Sequence, residues 1–424
     1  MRPDSVNKRW VFFSTFLGYV IYTLSRRSFT YSMPALMSSL NLEKSQLGVI
    51  SSSWSLAYGI SKFAGGVASD RISPSWLYCI GLAASGISCM AFSTASSVTT
   101  LAAVWFVNGV FQGFGWPAIT QLVNNWCSGT ELASWWSAFS AAGNVGLTLA
   151  PFIITGLVGV YGWRTMFFGV GCVCVAISAA FPYLIPDAPV SPLSPRSERS
   201  KQGAGPSSSS LLELCRNHMI LLVSVSYFLV SLIKEGWSNW GLLYLIQNKQ
   251  LDNSVAGSVM FLFEAGGVCG SLVTGFASDY LLRVLQWESS AVARIPLTML
   301  YGIWSACAYI LLHWIADSLI LVYISAFSIG CSTYGIICLL GVMSLEAAPR
   351  SLAGAAHAVT ALAGQMGGLS AGFPLGWIAT HYQWSGAGNV LMLTALSIPV
   401  LLALAYTAFA TTTAATAKPP AKKA

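Results

Sequence analysis

Long apolar stretches separated by short polar segments run through most of the chain. A helix needs about 20 apolar residues to cross the hydrocarbon core of a bilayer, and twelve stretches come close to that length. They cover residues 10–35, 45–69, 76–95, 98–126, 131–158, 163–185, 215–247, 254–281, 293–315, 317–345, 352–380 and 384–410. The pattern therefore predicts an all-α membrane protein with twelve transmembrane helices.

One long polar stretch, residues 186–212, interrupts this pattern between the sixth and seventh spans. It is rich in proline, serine and charged residues, which is typical of a flexible linker. The predicted organisation is an N-terminal six-helix half at 1–185, a cytosolic linker at 186–212, a C-terminal six-helix half at 213–410 and a cytosolic tail at 411–424.

Charged residues are scarce and unevenly distributed. Only 8% of the 424 residues are charged, against about 25% in soluble proteins, which argues against a soluble enzyme or a nucleic-acid-binding protein. With both termini and the linker on one side of the membrane, that side holds fourteen lysines and arginines, and the other holds Lys44, Arg164 and Lys249. Because cytoplasmic loops carry the excess of positive charge, both termini are predicted to face the cytosol.

The chemistry of metal sites and of known enzyme motifs is not apparent in the chain. Its ten cysteines are scattered and form no CxxC pair, so we interpret them as small buried apolar residues rather than metal ligands or disulfides. No HExxH, GxSxG or Walker lysine occurs, and we predict neither an enzyme nor a cofactor.

The two halves of the chain resemble each other. The run GGVASDR at 65–71 aligns with TGFASDY at 274–280, and YGWR at 161–164 aligns with YQWS at 382–385. Two pseudo-symmetric six-helix halves repeated in parallel resemble the major facilitator fold, in which the substrate site lies near the middle of the membrane.

Four cations lie inside predicted spans, where a charge costs at least about 2.5 kcal/mol on insertion scales. They are Arg26, Arg27, Lys62 and Lys234. Only two acids, Glu235 and Glu264, are clearly available within spans, and a surplus of positive charge facing a cavity suits an anion such as phosphate. At the offset of the repeat, Arg26 falls one position from Lys234, so both are predicted to face one central cavity. Arg27 either reaches the same cavity or pairs with an acid, and Lys62 either lines the cytosolic half of the path or forms a structural ion pair.

Further polar and aromatic residues in the spans are weaker candidates for ligand contacts. Tyr22, Trp116 and Tyr334 offer aromatic faces for a sugar ring, and His357, Asn144 and Asn239 offer hydrogen bonds, although all of these side chains also suit helix packing. Glu264 is predicted to form a switching salt bridge with Lys234 or Arg26, and Asp70 and Arg71 at the end of the second span are predicted to take part in gating or in a salt bridge.

Several runs of residues resemble the organophosphate:phosphate antiporter family. They are LSRRSFTYSMP at 24–34, AYGISKFAGGVASDR at 57–71 and IKEGWSNW at 233–240. The runs GFGWP at 113–117, WW at 135–136, STYG at 332–335 and HAV at 357–359 are most similar to the branch of the family in the endoplasmic reticulum.

The resemblance implies exchange of a sugar phosphate, glucose 6-phosphate in that branch, for inorganic phosphate by alternating access. It implies that Arg26 and Lys234 bind the phosphate group, that the protein lies in the endoplasmic reticulum membrane and that it is functionally coupled to a glucose-6-phosphatase. Two alternatives stay open on the same fold. One is a sugar-phosphate sensor that does not transport, and the other is an antiporter of another organophosphate such as glycerol 3-phosphate.

Overall fold

The computed structural model describes residues 8–69, 72–126, 132–184, 216–284, 291–349 and 352–416. Within these ranges the chain is helical and contains no strand. The helices are α1 (Lys8–Leu40), α2 (Lys44–Ser69), α3 (Pro74–Thr94), α4 (Val98–Gln112), α5 (Gly115–Trp126), α6 (Leu132–Leu184), α7 (His218–Gln247), α8 (Asn253–Val284), α9 (Ile295–Ile310), α10 (Leu319–Glu346), α11 (Ala353–Ser370), α12 (Phe373–His381) and α13 (Gln383–Thr416).

Every predicted span corresponds to helix, which confirms the all-α membrane fold. The fourth span comprises α4 and α5, the fifth and sixth lie in α6, and the eleventh comprises α11 and α12. In the described ranges, eight helical segments are long and apolar enough to cross a membrane by length and composition. Neither α1 nor α2 is among them, because both carry charged and hydroxyl side chains within their length.

A break in α6 separates the fifth span from the sixth. Gly162 has φ 77° and ψ 161°, a backbone conformation that favours glycine because a side chain is strained there. Two residues later, the Arg164 guanidinium donates to the carbonyl oxygens of Ser93 and Ala95 at 2.6 and 3.1 Å. These carbonyls end α3, so Arg164 satisfies acceptors that the helix itself leaves without a donor.

Two compact units divide the described chain. The first comprises Met1–Gly205, Gly236–Glu264 and Gly368–Ala387, and the second comprises Pro206–Glu235, Ala265–Gly367 and Gly388–Ala424. Their borders fall inside α7, α8, α11 and α13. The division into two halves at the linker stays a prediction.

An aromatic cluster forms much of the core of the first unit. The ring of Phe92 lies 4.5 Å from that of Phe167 and 5.2 Å from that of Trp105, and Phe29 lies 5.7 Å from Trp105. Phe29, Phe92 and Phe167 come from α1, α3 and α6, and Trp105 comes from α4. The cluster therefore fixes α1 against the three helices that carry its neighbours.

Close helix approach through glycine characterises the second unit. A Cβ atom on Gly266 or Gly270 of α8 would collide with the carbonyl oxygen of Phe327 or Cys331 on α10. These two glycines are four residues apart and lie on one face of α8. Only a residue without a side chain permits this backbone contact, so the two glycines set the distance between α8 and α10.

Candidate anion site

Arg26 of α1 lies over two aromatic rings of α2. Its guanidinium carbon is 4.7 Å from the centre of the Tyr58 ring and 5.6 Å from that of Trp54. Its Nε donates to Oε1 of Gln112 at 3.5 Å, a long hydrogen bond. Among the residues that the structure describes, Arg26 has no carboxylate within ion-pair distance. The charge of this half-buried arginine is therefore not neutralised by a carboxylate of the described residues.

The aromatic pair beneath Arg26 belongs to a stripe along α2. Trp54, Tyr58 and Lys62 are spaced by four residues and share one face of the helix. The rings of Trp54 and Tyr58 stack 4.8 Å apart at 9°, and the Lys62 ammonium lies 5.9 Å from the Tyr58 ring. The ring of Tyr58 therefore lies close to the charged groups of both Arg26 and Lys62. Lys62 itself is exposed, and both roles that its sequence position allowed stay predictions.

Arg27, the neighbour of Arg26, faces a different partner. Its Nη1 donates to Oδ1 of Asn239 at 3.3 Å, and both residues are more than nine-tenths buried. The contact joins α1 to the part of α7 that belongs to the first unit. Asn239 therefore cross-links helices here, which was one of the two roles that its position allowed.

Tyr22 lies inside a buried aromatic column. Its side chain is 0% exposed, its hydroxyl donates to the carbonyl of Phe111, and its ring stacks on Tyr19 at 6.2 Å and on Tyr78 at 5.8 Å. A Cβ on Gly115 would lie 2.9 Å from this ring, so the glycine-rich fourth span makes room for it. These contacts are those of a packing residue.

The sequence offered two further candidates for ligand contact, of which Trp116 lies beside this aromatic column and Asn144 lies on α6. The Trp116 ring packs on Tyr19 at 5.8 Å and is half-buried. Asn144 lies on α6, also half-buried, and its backbone carbonyl accepts a hydrogen bond from Thr148. Neither contact tests a role in ligand binding, which stays a prediction for both residues.

In the second unit, Lys234 has a carboxylate partner. Its ammonium lies 2.6 Å from Oε1 of Glu235, and their side chains are 15% and 30% exposed. The same ammonium lies 5.4 Å from the ring centre of Tyr334, which packs so closely on Gly267 that a Cβ there would lie 2.6 Å from it. Lys234 and Tyr334, predicted separately from the sequence, are therefore neighbours.

Glu264 of α8 is 2% exposed. The salt-bridge switch predicted for it required Lys234 or Arg26 as a partner. In the second unit, Lys234 pairs with Glu235. The salt-bridge switch of Glu264 stays a prediction.

His357 of α11 contacts the hydroxyl of Ser344 on α10, with 2.9 Å between Nδ1 and Oγ. Ser344 donates its own proton to the carbonyl of Gly341 at 2.6 Å. Its oxygen must therefore accept from His357, which assigns a proton to Nδ1 of the imidazole. In the neutral ring, Nε2 is then the atom that can accept.

Asp70 and Arg71 lie outside the described residues. The repeat aligns Asp70 with Asp279, and here an ionic network is present. Arg294 binds Glu346 in a bidentate manner at 2.9 and 3.0 Å and contacts Asp279 at 3.4 Å. The sequence had assigned Arg294 to the cytosolic side only, although its position near the repeated aspartate could have indicated this role.

In the described ranges, no group of three His, Cys, Asp or Glu side chains could hold a metal ion. In the first unit, two aromatic rings and an amide lie around Arg26. In the second unit, a carboxylate and an aromatic ring lie beside Lys234. Guanidinium and ammonium groups of this kind are suited to binding an anion through hydrogen bonds and charge.

The family model of the Major Facilitator Superfamily matches residues 15–372. The fold agrees. A bacterial homologue of the human lysosomal transporter Spinster, in an inward-facing unoccupied conformation, is 13% identical, with a TM-score of 0.78 over 94% of this chain and 95% of that one. The nucleoside transporter NupG is 15% identical, with a TM-score of 0.70 over 95% and 98%. Sequence and fold together define a multi-pass membrane transporter rather than an enzyme.

Relatives with closer sequences narrow the class. A probable hexose phosphate transport protein of Chlamydia trachomatis serovar D is 31% identical over 94% of this chain and 92% of its own. The membrane sensor protein UhpC of Escherichia coli strain K12 is 29% identical over 94% and 92%, and the glycerol-3-phosphate transporter of Bacillus subtilis strain 168 is 28% identical over 96% and 94%. The chain belongs to the organophosphate:phosphate antiporter family of the Major Facilitator Superfamily.

Proposed function

We propose that this protein exchanges a sugar phosphate, with glucose 6-phosphate as the preferred candidate, for inorganic phosphate by alternating access. The observation that carries the proposal is the half-buried Arg26, which has no carboxylate partner among the described residues and rests on the face of Tyr58. A planar guanidinium offers parallel N–H donors that match the oxygens of a phosphate group.

The charge balance around Arg26 supports an anionic substrate. Residues 8–69 include Arg26, Arg27 and Lys62 inside the helices, whereas their acidic residue, Glu43, is exposed in the turn between α1 and α2. The compounds that give two relatives their names, hexose phosphate and glycerol 3-phosphate, share a phosphate group and differ in the organic part. We therefore assign phosphate recognition to Arg26, Lys62 and Lys234.

The organic part of the substrate would contact less charged groups. We assign this role to Trp116, Tyr334, Asn144 and His357, and we add Trp54 and Tyr58 from the geometry of α2. An aromatic face suits the C–H side of a sugar ring, and the amide and imidazole suit its hydroxyls. Arg27, Asn239 and Tyr22 would support the site through the contacts described above.

We further propose that the protein resides in the endoplasmic reticulum membrane with both termini in the cytosol, as the charge distribution and the glucose-6-phosphate resemblance predict. In that location it would supply a glucose-6-phosphatase with substrate and return phosphate. Expression of a tagged protein in a eukaryotic cell, followed by protease accessibility of each terminus, tests both parts of this proposal.

Reconstitution in liposomes tests the transport activity directly. Vesicles loaded with unlabelled phosphate should take up labelled glucose 6-phosphate, and a panel of unlabelled sugar phosphates, glycerol 3-phosphate and 3-phosphoglycerate should compete in the order of their affinities. If labelled phosphate itself fails to exchange across the membrane, the antiport proposal is wrong.

A second candidate function is a membrane sensor of sugar phosphate. It is favoured by one observation, the 29% identity with UhpC over nearly the whole of both chains. A sensor binds without sustained transport. Binding of glucose 6-phosphate to the purified protein in the absence of any exchange in vesicles would therefore support the sensor and contradict the antiporter.

A further inference from the structure

Helix α4 carries no charged residue, yet it contacts the groups around Arg26 through two buried amides. Asn108 and Gln112 are 0% and 1% exposed and lie one turn apart. Two glycines with the same spacing bring α4 close to α2, because a Cβ on Gly109 would lie 2.6 Å from the Trp54 carbonyl and one on Gly113 would lie 2.7 Å from the Lys62 nitrogen. From the same helix, the Gln112 side chain contacts Arg26 of α1.

The orientation of the Gln112 amide follows from its neighbours. Its Nε2 lies 3.0 Å from Oγ of Ser25 and 3.3 Å from the carbonyl oxygen of Tyr22. Ser25 donates its own proton to that same carbonyl at 2.8 Å, so both partners can only accept from Gln112. The NH₂ group must therefore face α1 at these positions, and Oε1 is left to face Nε of Arg26.

Two contacts then determine how the guanidinium is presented. The ring of Tyr58 lies against the guanidinium at 4.7 Å and restricts its tilt. Gln112 occupies Nε at 3.5 Å and restricts its rotation within its own plane. The other four N–H donors of the guanidinium are on Nη1 and Nη2. Because the amide is neutral, it engages Nε without cancelling the positive charge.

We propose that Gln112 is a positioning residue for the anion site, which holds Nε of Arg26 so that the Nη1–Nη2 edge faces the phosphate group. The inference rests on the proposed function in that the ligand is taken to be a phosphate. Gln112 acts through Arg26 and does not itself contact the organic part of the substrate. Its effect is therefore the same for inorganic phosphate and for a sugar phosphate.

Two substitutions of Gln112 separate this role from simple packing. Gln112→Met keeps the length of the side chain and removes the acceptor, and a hydrogen bond to a charged group contributes enough that Kd for phosphate should rise about three- to tenfold. Gln112→Glu keeps the oxygen but adds a negative charge that competes with the ligand for Arg26. It should raise Kd more than Gln112→Met does, although it resembles glutamine more closely in shape.

Ser88→Ala provides the matched control. Ser88 is 3% exposed, and its hydroxyl accepts a hydrogen bond from Asn108 at 2.9 Å one turn away from Gln112. The change removes a buried polar contact of α4 that has no part in holding Arg26. It should lower thermal stability at most and leave Kd for phosphate unchanged.

The experiment measures Kd for inorganic phosphate from the stabilisation of the purified, full-length protein against thermal unfolding, together with KM and the maximal rate of exchange in vesicles. Equal fold-increases of KM for phosphate and glucose 6-phosphate, with Glu above Met and Ser88→Ala unchanged, support the inference. An unchanged Kd in Gln112→Met, or an increase confined to the sugar phosphate, overturns it. Failure of the unmutated protein to exchange would overturn the antiport proposal instead, and the Kd series would still decide the role of Gln112.

Discussion

Removal of the negative charge of Glu235 is expected to strengthen phosphate binding rather than weaken it. The Lys234 ammonium lies 2.6 Å from the Glu235 carboxylate, so this carboxylate and an incoming phosphate compete for the same cation. Glu235→Gln keeps the size of the side chain and its ability to accept a hydrogen bond, but it removes the competing charge. Lys234 then no longer has to leave an ionic partner when the anion binds.

The magnitude follows from the environment of the pair. At 2.6 Å and an effective dielectric constant of about 20, two unit charges attract by about 6 kcal/mol, but desolvation and side-chain entropy offset most of that energy. The side chains are 15% and 30% exposed, so we take about 1 kcal/mol, near the top of the range for exposed pairs. Since 1.4 kcal/mol corresponds to a factor of about ten, Kd for phosphate should fall about fivefold.

Exchange of labelled phosphate in vesicles, measured over a range of external phosphate concentrations, checks this prediction. Glu43→Gln makes the same chemical change at an exposed position between α1 and α2 and should leave KM unchanged. A KM in Glu235→Gln that is equal to or higher than that of the unmutated protein would refute the reasoning. It would mean that Lys234 does not exchange its carboxylate partner for phosphate.

Three more substitutions test the site and the fold. Arg26→Ala should abolish exchange of phosphate and sugar phosphate alike, and Arg26→Lys should retain only a small fraction because a point charge lacks the planar fork; normal phosphate exchange at normal membrane abundance would contradict both. Phosphate loaded inside vesicles should accelerate sugar-phosphate uptake by the unmutated protein, and Lys234→Met should remove most of this acceleration. Equal uptake by empty and loaded vesicles of the unmutated protein would exclude obligatory exchange. Arg294→Ala should lower the free energy of unfolding by about 2 kcal/mol or more because it leaves Glu346 without its bidentate partner. Arg283→Ala, at an exposed position in the last turn of α8, is the control and should change that free energy by less than about 0.5 kcal/mol. Equal thermal unfolding of the two variants in detergent would contradict this prediction.

The residues around Arg26 illustrate what a sequence pattern can and cannot indicate. Arg26 was identifiable because a charge within an apolar span is costly and rarely without function. Trp54 and Tyr58 were missed because aromatic residues are common in membrane helices, and the sequence does not show which of them line a site. Their positions four and eight residues before Lys62, on the same helix face, were the available signal. Gln112 could not be singled out from the sequence, because an uncharged amide has a small free-energy cost in a membrane helix and occurs there for many reasons.

Ion-pair partners are harder to predict from the sequence than buried cations. The sequence offered Glu235 and Glu264 as acids within spans, and the structure shows Lys234 paired with its immediate neighbour Glu235. Adjacent residues on a helix point about 100° apart, and the periodicity alone does not show whether such a pair forms. Long, flexible side chains reach across that angle, and a helical projection does not account for their length.

The membrane fold was predictable from the sequence, because the length of an apolar run is a local property that the bilayer requires of each span. The sequence also determined which cations are exceptional, since the cost of burying a charge depends on the span and not on its neighbours. Two arrangements were not predictable from the sequence: Arg26 lies on Tyr58 and donates to Gln112, and Arg294 joins the ends of α8 and α10. These contacts depend on close helix approach at particular glycines and on rotamers of long side chains, and both are set by packing between segments far apart in the chain.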